Sequence, residues 1–294
     1  MVVIGDEILG GYVADTNSAW FADRLRHHGV PLTRIHVVPD EADAIDEALQ
    51  AEIRRGGPRL VVTSGGIGST PDDITYEAVA DSLGRDLIED PVIGARIDQA
   101  LTWTAEQGLV VDDAFTWHLK RMARIPAGSR LLSEVAGWSP GVTIDLDGGC
   151  DATGTTVVIL PGVPGQFRGL VEHAIEPQLL AGRRDVPTVA EVTHGFPESA
   201  LNLTFAALLE RFEVKLGSYP GEPMIVRLSG RPDEVAAAER FVRTAVDDLA
   251  ATPAGARLAA AWSARTGSDD DRTPTDDTDA DADAATTTDH EEGA

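Results

Sequence analysis

Cysteine and lysine are almost missing from this chain. A single cysteine, Cys150, excludes an intrachain disulfide and leaves no CxxC pair for a zinc or redox site. A reducing, cytoplasmic compartment is the expectation that follows. No apolar run approaches the roughly 18 residues that a membrane span needs, and no charged segment leading into an apolar stretch opens the chain. Nothing in the sequence is therefore expected to export or anchor it. The seven histidines are scattered without HExxH spacing, which argues against a histidine-ligated metal.

Of the 24 basic residues only Lys120 and Lys215 are lysine, set against 49 acidic residues and a formal net charge of −25. From Gly267 onward the tail holds 11 acidic residues and one arginine, and the rest of the chain is acidic as well. Such a surface is expected in a salt-loaded cytoplasm, where screening relieves self-repulsion and carboxylates keep the protein hydrated. Without clustered Lys and Arg, nucleic acid is not expected as a partner. At 294 residues the chain can hold one large domain or two ordinary ones, and a homo-oligomer is compatible with it.

Apolar runs and helical stripes alternate through the first half. Val2–Ile4 reads as a clipped strand and Gly5–Gly11 as a glycine-bounded loop. A helix carrying Trp20, Phe21 and Leu25 follows and stops at Gly29. Next come a strand over Leu32–Val38, a helix over Glu41–Arg55 and a strand over Leu60–Thr63. Three strand–helix units in series imply a parallel sheet covered on both faces, with ligands beyond the carboxyl ends of its strands. Pro91–Arg124 reads as mostly helical. Strands at Val142–Leu146 and Thr156–Leu160 and a helix over Gln166–Leu180 close a domain of residues 1–182. A βαββα pattern over residues 187–251 predicts a small separate α+β domain, and the Asp, Thr and Ala-rich residues 267–294 are expected to be disordered.

The most informative stretch runs from Leu60 to Thr75, where a strand opens into Ser64-Gly65-Gly66-Ile67-Gly68-Ser69-Thr70-Pro71-Asp72-Asp73. Glycines at such a turn let backbone N–H groups approach an anion, and the following helix N-terminus favours negative charge. Carboxylates in the same loop would repel a bare phosphate, so they predict a divalent cation between loop and phosphate, or a general base. Asp6 and Glu7 after the first strand, Asp40 after the second, and Asp72 and Asp73 after the third are expected to meet on one rim. The alternative is that acidic loop residues are simply abundant, with Asp40 and Asp73 capping helices. Gly137-Trp138-Ser139-Pro140-Gly141 fits the G-x-S-x-G elbow of serine hydrolases, but Pro140 lacks the N–H that an oxyanion hole needs there. A turn near the ligand is the better expectation.

Gly5-Asp6-Glu7-Ile8-Leu9, Asp15-Thr16-Asn17, the Gly65–Thr75 loop and Leu160-Pro161-Gly162-Val163-Pro164 together resemble the MoaB/Mog molybdopterin-binding domain. The form is that found at the N-terminus of CinA, the competence/damage-inducible protein. The resemblance covers roughly residues 1–180 and implies a three-layer αβα domain with a mostly parallel sheet. The later βαββα unit, with Gly217-Ser218-Tyr219-Pro220, resembles the KH-like domain of CinA relatives, although it has no basic G-x-x-G loop. Nothing after it resembles their amidohydrolase domain, so that activity is not implied.

Mog-type members adenylylate molybdopterin, whereas the CinA-type domain is associated with metal-dependent hydrolysis of the pyrophosphate in ADP-ribose. Ile67 stands where Mog-type loops carry threonine, which favours the second, while the Pro39-Asp40-Glu41 turn resembles a Mog loop with a functional aspartate. The leading expectation is a metal-dependent nucleotide pyrophosphatase. The alternatives are a molybdopterin-binding adenylyltransferase and a non-catalytic ligand- or RNA-binding module. A pyrophosphate would lie over Gly65, Gly66 and Gly68, with Ser69 and Thr70 as donors. Asp72 and Asp73, with Asp6 or Glu7, would hold the divalent metal ion. Asp73, Asp40 and Glu7 are the candidate catalytic carboxylates. By resemblance, Gly5, Asn17, Gly162 and Pro164 would contact the ribose, base or pterin end.

Overall fold

The computed structural model describes residues 1–109, 112–132, 140–150, 154–182 and 186–266. The acidic tail and the Gly137-Trp138-Ser139 part of the discounted elbow lie outside these residues. The chain divides into two compact units, Met1–Val186 and a second beginning at Pro187.

The first unit runs β1 (Val2–Ile4), α1 (Asp6–Leu9), α2 (Thr16–His27), β2 (His36–Val38), α3 (Ala42–Ile53), β3 (Arg59–Ser64) and α4 (Thr75–Ser82). It continues through β4 (Leu87–Glu89), α5 (Pro91–Glu106), α6 (Asp113–Arg121), β5 (Arg124–Pro126), β6 (Arg130–Leu131), β7 (Val142–Leu146), β8 (Thr155–Leu160) and α7 (Pro164–Leu170). A π-type helix over Val171–Leu180 extends α7 and holds Pro177, which has no N–H to donate. The main sheet has the order β2-β1-β3-β8-β7-β6. Its first four strands are parallel, and β7 and β6 each run antiparallel to the preceding neighbour.

Side chains that alternate along the strands feed two cores. Val2, Ile4, Val61, Val157 and Ile159 pack with Ile45, Leu49, Val79, Ile93 and Ile97 from α3, α4 and α5. Val3, Val62, Val158 and Leu160 pack on the opposite face with Phe21 and Leu25 of α2, Phe167 of α7, and Ile175. Helices on both faces of a mostly parallel sheet make the three layers that the strand–helix alternation predicts.

Several expectations need correction. Gly5–Gly11 is not all loop, because Asp6–Leu9 winds one helical turn. The second strand is confined to His36–Val38, and the exposed Thr33, Arg34 and Ile35 that precede it lie outside the ladder. Pro91–Arg124 is mostly helical as expected, with a break after the first helix, where Gly108 makes a left-handed turn of φ 78°. The antiparallel β4–β5 pair and β6 were not foreseen.

The second unit runs β9 (Thr188–His194), a 3₁₀ turn (Glu198–Leu201), α8 (Asn202–Arg211), β10 (Val214–Tyr219), β11 (Met224–Gly230), α9 (Pro232–Ala251) and α10 (Pro253–Thr266). Its antiparallel sheet has the order β10-β11-β9. Val192, Phe205, Leu208, Val226, Leu228 and Val242 fill the core between sheet and helices. The βαββα order is that of the sequence reading, and α10 is added to it.

One ion pair ties together two helices that cover the same face of the sheet. Arg24 on α2 grips Glu176 with Nε–Oε1 at 2.6 Å and Nη2–Oε2 at 2.7 Å, and His28 lies 3.2 Å from the same carboxylate. The Arg24 guanidinium holds the Glu176 carboxyl below the usual glutamate range. A carboxyl whose pKa falls on folding stabilises the protein above its unfolded value, about 4.3, and that stabilisation fades as pH drops through the folded value. Glu176→Gln should therefore cost about 1–2 kcal/mol near pH 7. The gap from the parent should close below about pH 4, and denaturant melts across pH check this.

Candidate functional site

The four parallel strands end on one rim, and hydrogen bonds stitch their loops together. Gly5 N–H donates to Val38 O at 3.1 Å, and Asp6 N–H donates to Asp40 Oδ2 at 3.0 Å, joining the loops after β1 and β2. Gly65 N–H donates to Leu160 O at 3.1 Å, joining β3 to β8. Asn17, buried at the start of α2, donates from Nδ2 to Gly162 O at 2.8 Å and to Ser64 Oγ at 3.3 Å. Its Oδ1 is buried with no hydrogen-bond partner among the described residues, an acceptor left over at the rim.

Glycine is required where these loops cross. Gly65 sits at φ 109°, and a Cβ there would run into the Ile4 carbonyl oxygen. A Cβ on Gly162 would come within 3.2 Å of the Gly65 Cα. The loop beyond is held by Thr75, whose Oγ1 donates to Gly65 O and whose N–H donates to Gly66 O, both at 2.9 Å.

The carboxylates divide by environment. Burial pushes the Asp40 carboxyl above the usual aspartate range, against the Asp6 N–H that it accepts; the charges of Asp6, Glu7 and Asp72 raise it further. A Cβ on Gly66 would lie 3.4 Å from Asp40 Oδ1, so this carboxylate borders the glycine loop. Asp73 Oδ2 accepts from Thr70 N–H at 2.8 Å and from Thr70 Oγ1 at 2.6 Å, closing the turn. The same hydroxyl lies close enough to Asp72 to hold its carboxyl below the usual range. Neither Asp40 nor Asp73 caps a helix: α3 and α4 begin after Glu41 and Ile74, with no side-chain cap bond. The Glu7 carboxylate folds back over Gly5, within 2.7 Å of where a Cβ would stand.

Asp6, Glu7, Asp40, Asp72 and the Gly65–Asp73 loop thus share one end of the sheet with Asn17 and Gly162. Pro164 instead takes the first position of α7. The donors are hard oxygens suited to a divalent cation. Among the described residues no three His, Cys, Asp or Glu side chains close into a ready-made metal cage. The proposed set of Asp6, Asp72 and Asp73 is therefore not assembled as a closed protein site, because Asp73 is turned toward Thr70.

Sequence reasoning missed Arg121. It lies at the end of α6 with its side chain 12% exposed, donates from Nε to Glu77 at 2.8 Å, and reaches the Asp73 and Thr70 carbonyls with its two Nη groups. Its distance along the chain from the loop hides this role; only the fold brings the two together.

Three layers with a glycine loop and carboxylates at the carboxyl ends of the parallel strands define a MoaB/Mog-type domain. The chain belongs to that family, since residues 1–181 match the family described as "Probable molybdopterin binding domain". It is similar to the protein TK1472 of Thermococcus kodakarensis, 34% identical over 223 residues that cover 75% of this chain and 84% of that protein. A CinA-like protein of Gemmatimonas aurantiaca is 31% identical over 224 residues, which cover 76% of this chain and 49% of that one. The crystal structure of "the protein CinA with unknown function" from Thermoplasma acidophilum matches 60% of this chain and 94% of that chain, with 32% identity and a TM-score of 0.49. CinA-like proteins are thus among its sequence relatives, and the chain spans about half the length of the one from Gemmatimonas aurantiaca.

Two consequences follow for the loop. Gly65→Ala, which meets both the positive φ and the Ile4 carbonyl, should destabilise the first unit by about 2 kcal/mol or more, read from denaturant unfolding. Arg121→Gln should leave most of the sheet's protection intact while speeding hydrogen exchange at Thr70 and Asp73, whose local contacts it loosens.

Proposed function

We propose that this chain hydrolyses the pyrophosphate bond of ADP-ribose or a related dinucleotide with the help of a divalent cation. The observation that supports this most is the Asp40 carboxylate, made more basic by burial and neighbouring charge, at the border of the glycine loop. The resemblance to CinA-type domains points the same way.

In this reading the pyrophosphate is received by the N–H groups of Gly66–Gly68 and the Ser69 hydroxyl, while the Gly65 N–H and the Thr70 hydroxyl, committed to Leu160 O and Asp73, hold the loop's shape. Asp6 and Asp72, with the second oxygen of Asp73, would hold the cation. Two or three carboxylates without a closed cage suit a magnesium-like ion that takes its remaining ligands from substrate phosphates and water. Once bound, it would supply countercharge to the pyrophosphate. Asp40 accepts the proton of the attacking water as the water oxygen bonds to one phosphorus. The bridging P–O bond breaks, and its electron pair leaves with the second phosphate. Arg121 and Thr75 act through the loop, holding Thr70, Asp73 and the glycines in position. The Asn17 Oδ1 left over at the rim would accept an N–H or O–H from the ribose or base. A pterin is the second reading, favoured by the family's description, and its amino groups could meet the same oxygen.

The test is release of AMP and ribose 5-phosphate from ADP-ribose across divalent metals, in molar salt suited to so acidic a surface. The parent should turn over only with metal, and Asp40→Asn should lose about 10²–10⁴-fold in kcat. Asp73→Asn should also fail. Turnover that survives Asp73→Asn would put the chemistry in another loop, and inactivity with a co-purifying pterin fluorescence would favour the second reading.

A further inference from the structure

The second unit holds a buried group that this reaction does not use. His194 ends β9 opposite Met224 on β11 and is 5% exposed. Its Nδ1 accepts the Phe196 N–H at 3.2 Å, which places the proton of the neutral ring on Nε2. Nε2 has no hydrogen-bond partner among the described residues. Burial lowers the ring's pKa, so at neutral pH this nitrogen is an uncharged donor with nothing to donate to. A buried donor in that condition is costly unless a water or a ligand accepts from it.

His194 is also among the residues that line a cavity of about 220 Å³, together with Gly195, Glu222, Pro223, Met224 and Trp262. From this pairing we infer that the second unit binds a neutral, planar heteroaromatic of nucleobase size, whose ring carbonyl accepts the His194 Nε2–H. Size follows from the volume, which is below the range of about 300–1,000 Å³ typical of larger ligands. Flatness follows from the walls. Trp262 and Met224 offer aromatic and thioether surface, and Gly195 presents no side chain. Neutrality follows from charge, since among the described residues Glu222 is the only charged one lining the cavity, and no lining cation would meet a carboxylate or phosphate. The His194 ring is itself oriented by stacking on Phe196, with centroids 6.3 Å apart and planes 25° from parallel.

Hypoxanthine and uracil are suitable probes, titrated into the full chain while imidazole ¹H–¹⁵N spectra follow His194. Saturable binding should move the Nε2–H signal downfield. His194→Phe, which keeps the ring and its stack, should weaken binding about tenfold or more, and Trp262→Leu should do the same without touching the sheet. Benzoate, a planar anion of similar size, should bind about tenfold more weakly than hypoxanthine. Absence of saturable binding up to the solubility limit overturns the inference. So does affinity unchanged in both variants, which would put the probes elsewhere, or a preference for benzoate, which would give the cavity a different ligand class. If His194→Phe does not fold, the Trp262→Leu titration and the His194 signal decide the matter.

Discussion

Parallel pairing of Arg59–Ser64 with Thr155–Leu160 is the constraint from which the rest of the first unit follows. It joins the first three strands to the antiparallel end of the sheet and brings Gly65 against Gly162. Both strands are apolar on both faces at their centres, so side-chain alternation alone would specify their register weakly. Buried polar groups supply what the apolar residues cannot. At one end Thr156 Oγ1 donates to Asp145 at 2.7 Å, and at the other Asn17 bridges Ser64 and Gly162. A slip of one residue would strand these groups without partners and pull the two glycines apart.

Local electrostatics then separate carboxylates that the sequence presents as equals. On a chain this acidic, aspartates in adjoining loops ought to behave alike. Asp40 is instead pushed toward its protonated form by burial and like charge, while the Thr70 hydroxyl keeps Asp72 ionised. Groups whose pKa values are driven apart in one cleft can divide acid–base and charge-holding duties between them. The glycine loop does the separating, because its tight turn aims the Thr70 hydroxyl at the Asp72–Asp73 pair and leaves Asp40 facing Gly66.

Much of this could be read from the sequence, and what escaped did so for physical reasons. Continuous apolar runs at Leu60–Thr63 and Thr156–Leu160 announced buried parallel strands, and the glycines after them announced a close approach. The turn Asp6–Leu9 escaped because four residues between glycines carry no helical period. The β4–β5 pair escaped because Ile88 is 48% exposed and the two strands are short, so neither shows an apolar run. Asp72 and Asp73 looked interchangeable as metal ligands; the turn's own hydrogen bonds, set by φ and ψ rather than composition, turn Asp73 inward. Arg121 was invisible because the loop groups it holds are backbone carbonyls, which leave no trace in sequence. The helix α10 was unmarked because its apolar residues are mostly alanine, leaving Leu258 and Trp262 as the only large ones at helical spacing.

The bond from Asn17 to Gly162 spans 145 positions of chain, and it closes only when α2, β3 and β8 have all docked. No fragment of the first unit contains the whole rim. Partly folded states, which form local helices before long-range parallel pairs, would lack affinity for whatever the rim receives. A ligand at this rim would accordingly act as a sensor of completed folding. Its whole binding energy would be added to the native state alone, and cells rich in that ligand would hold more of the protein beyond the reach of proteases.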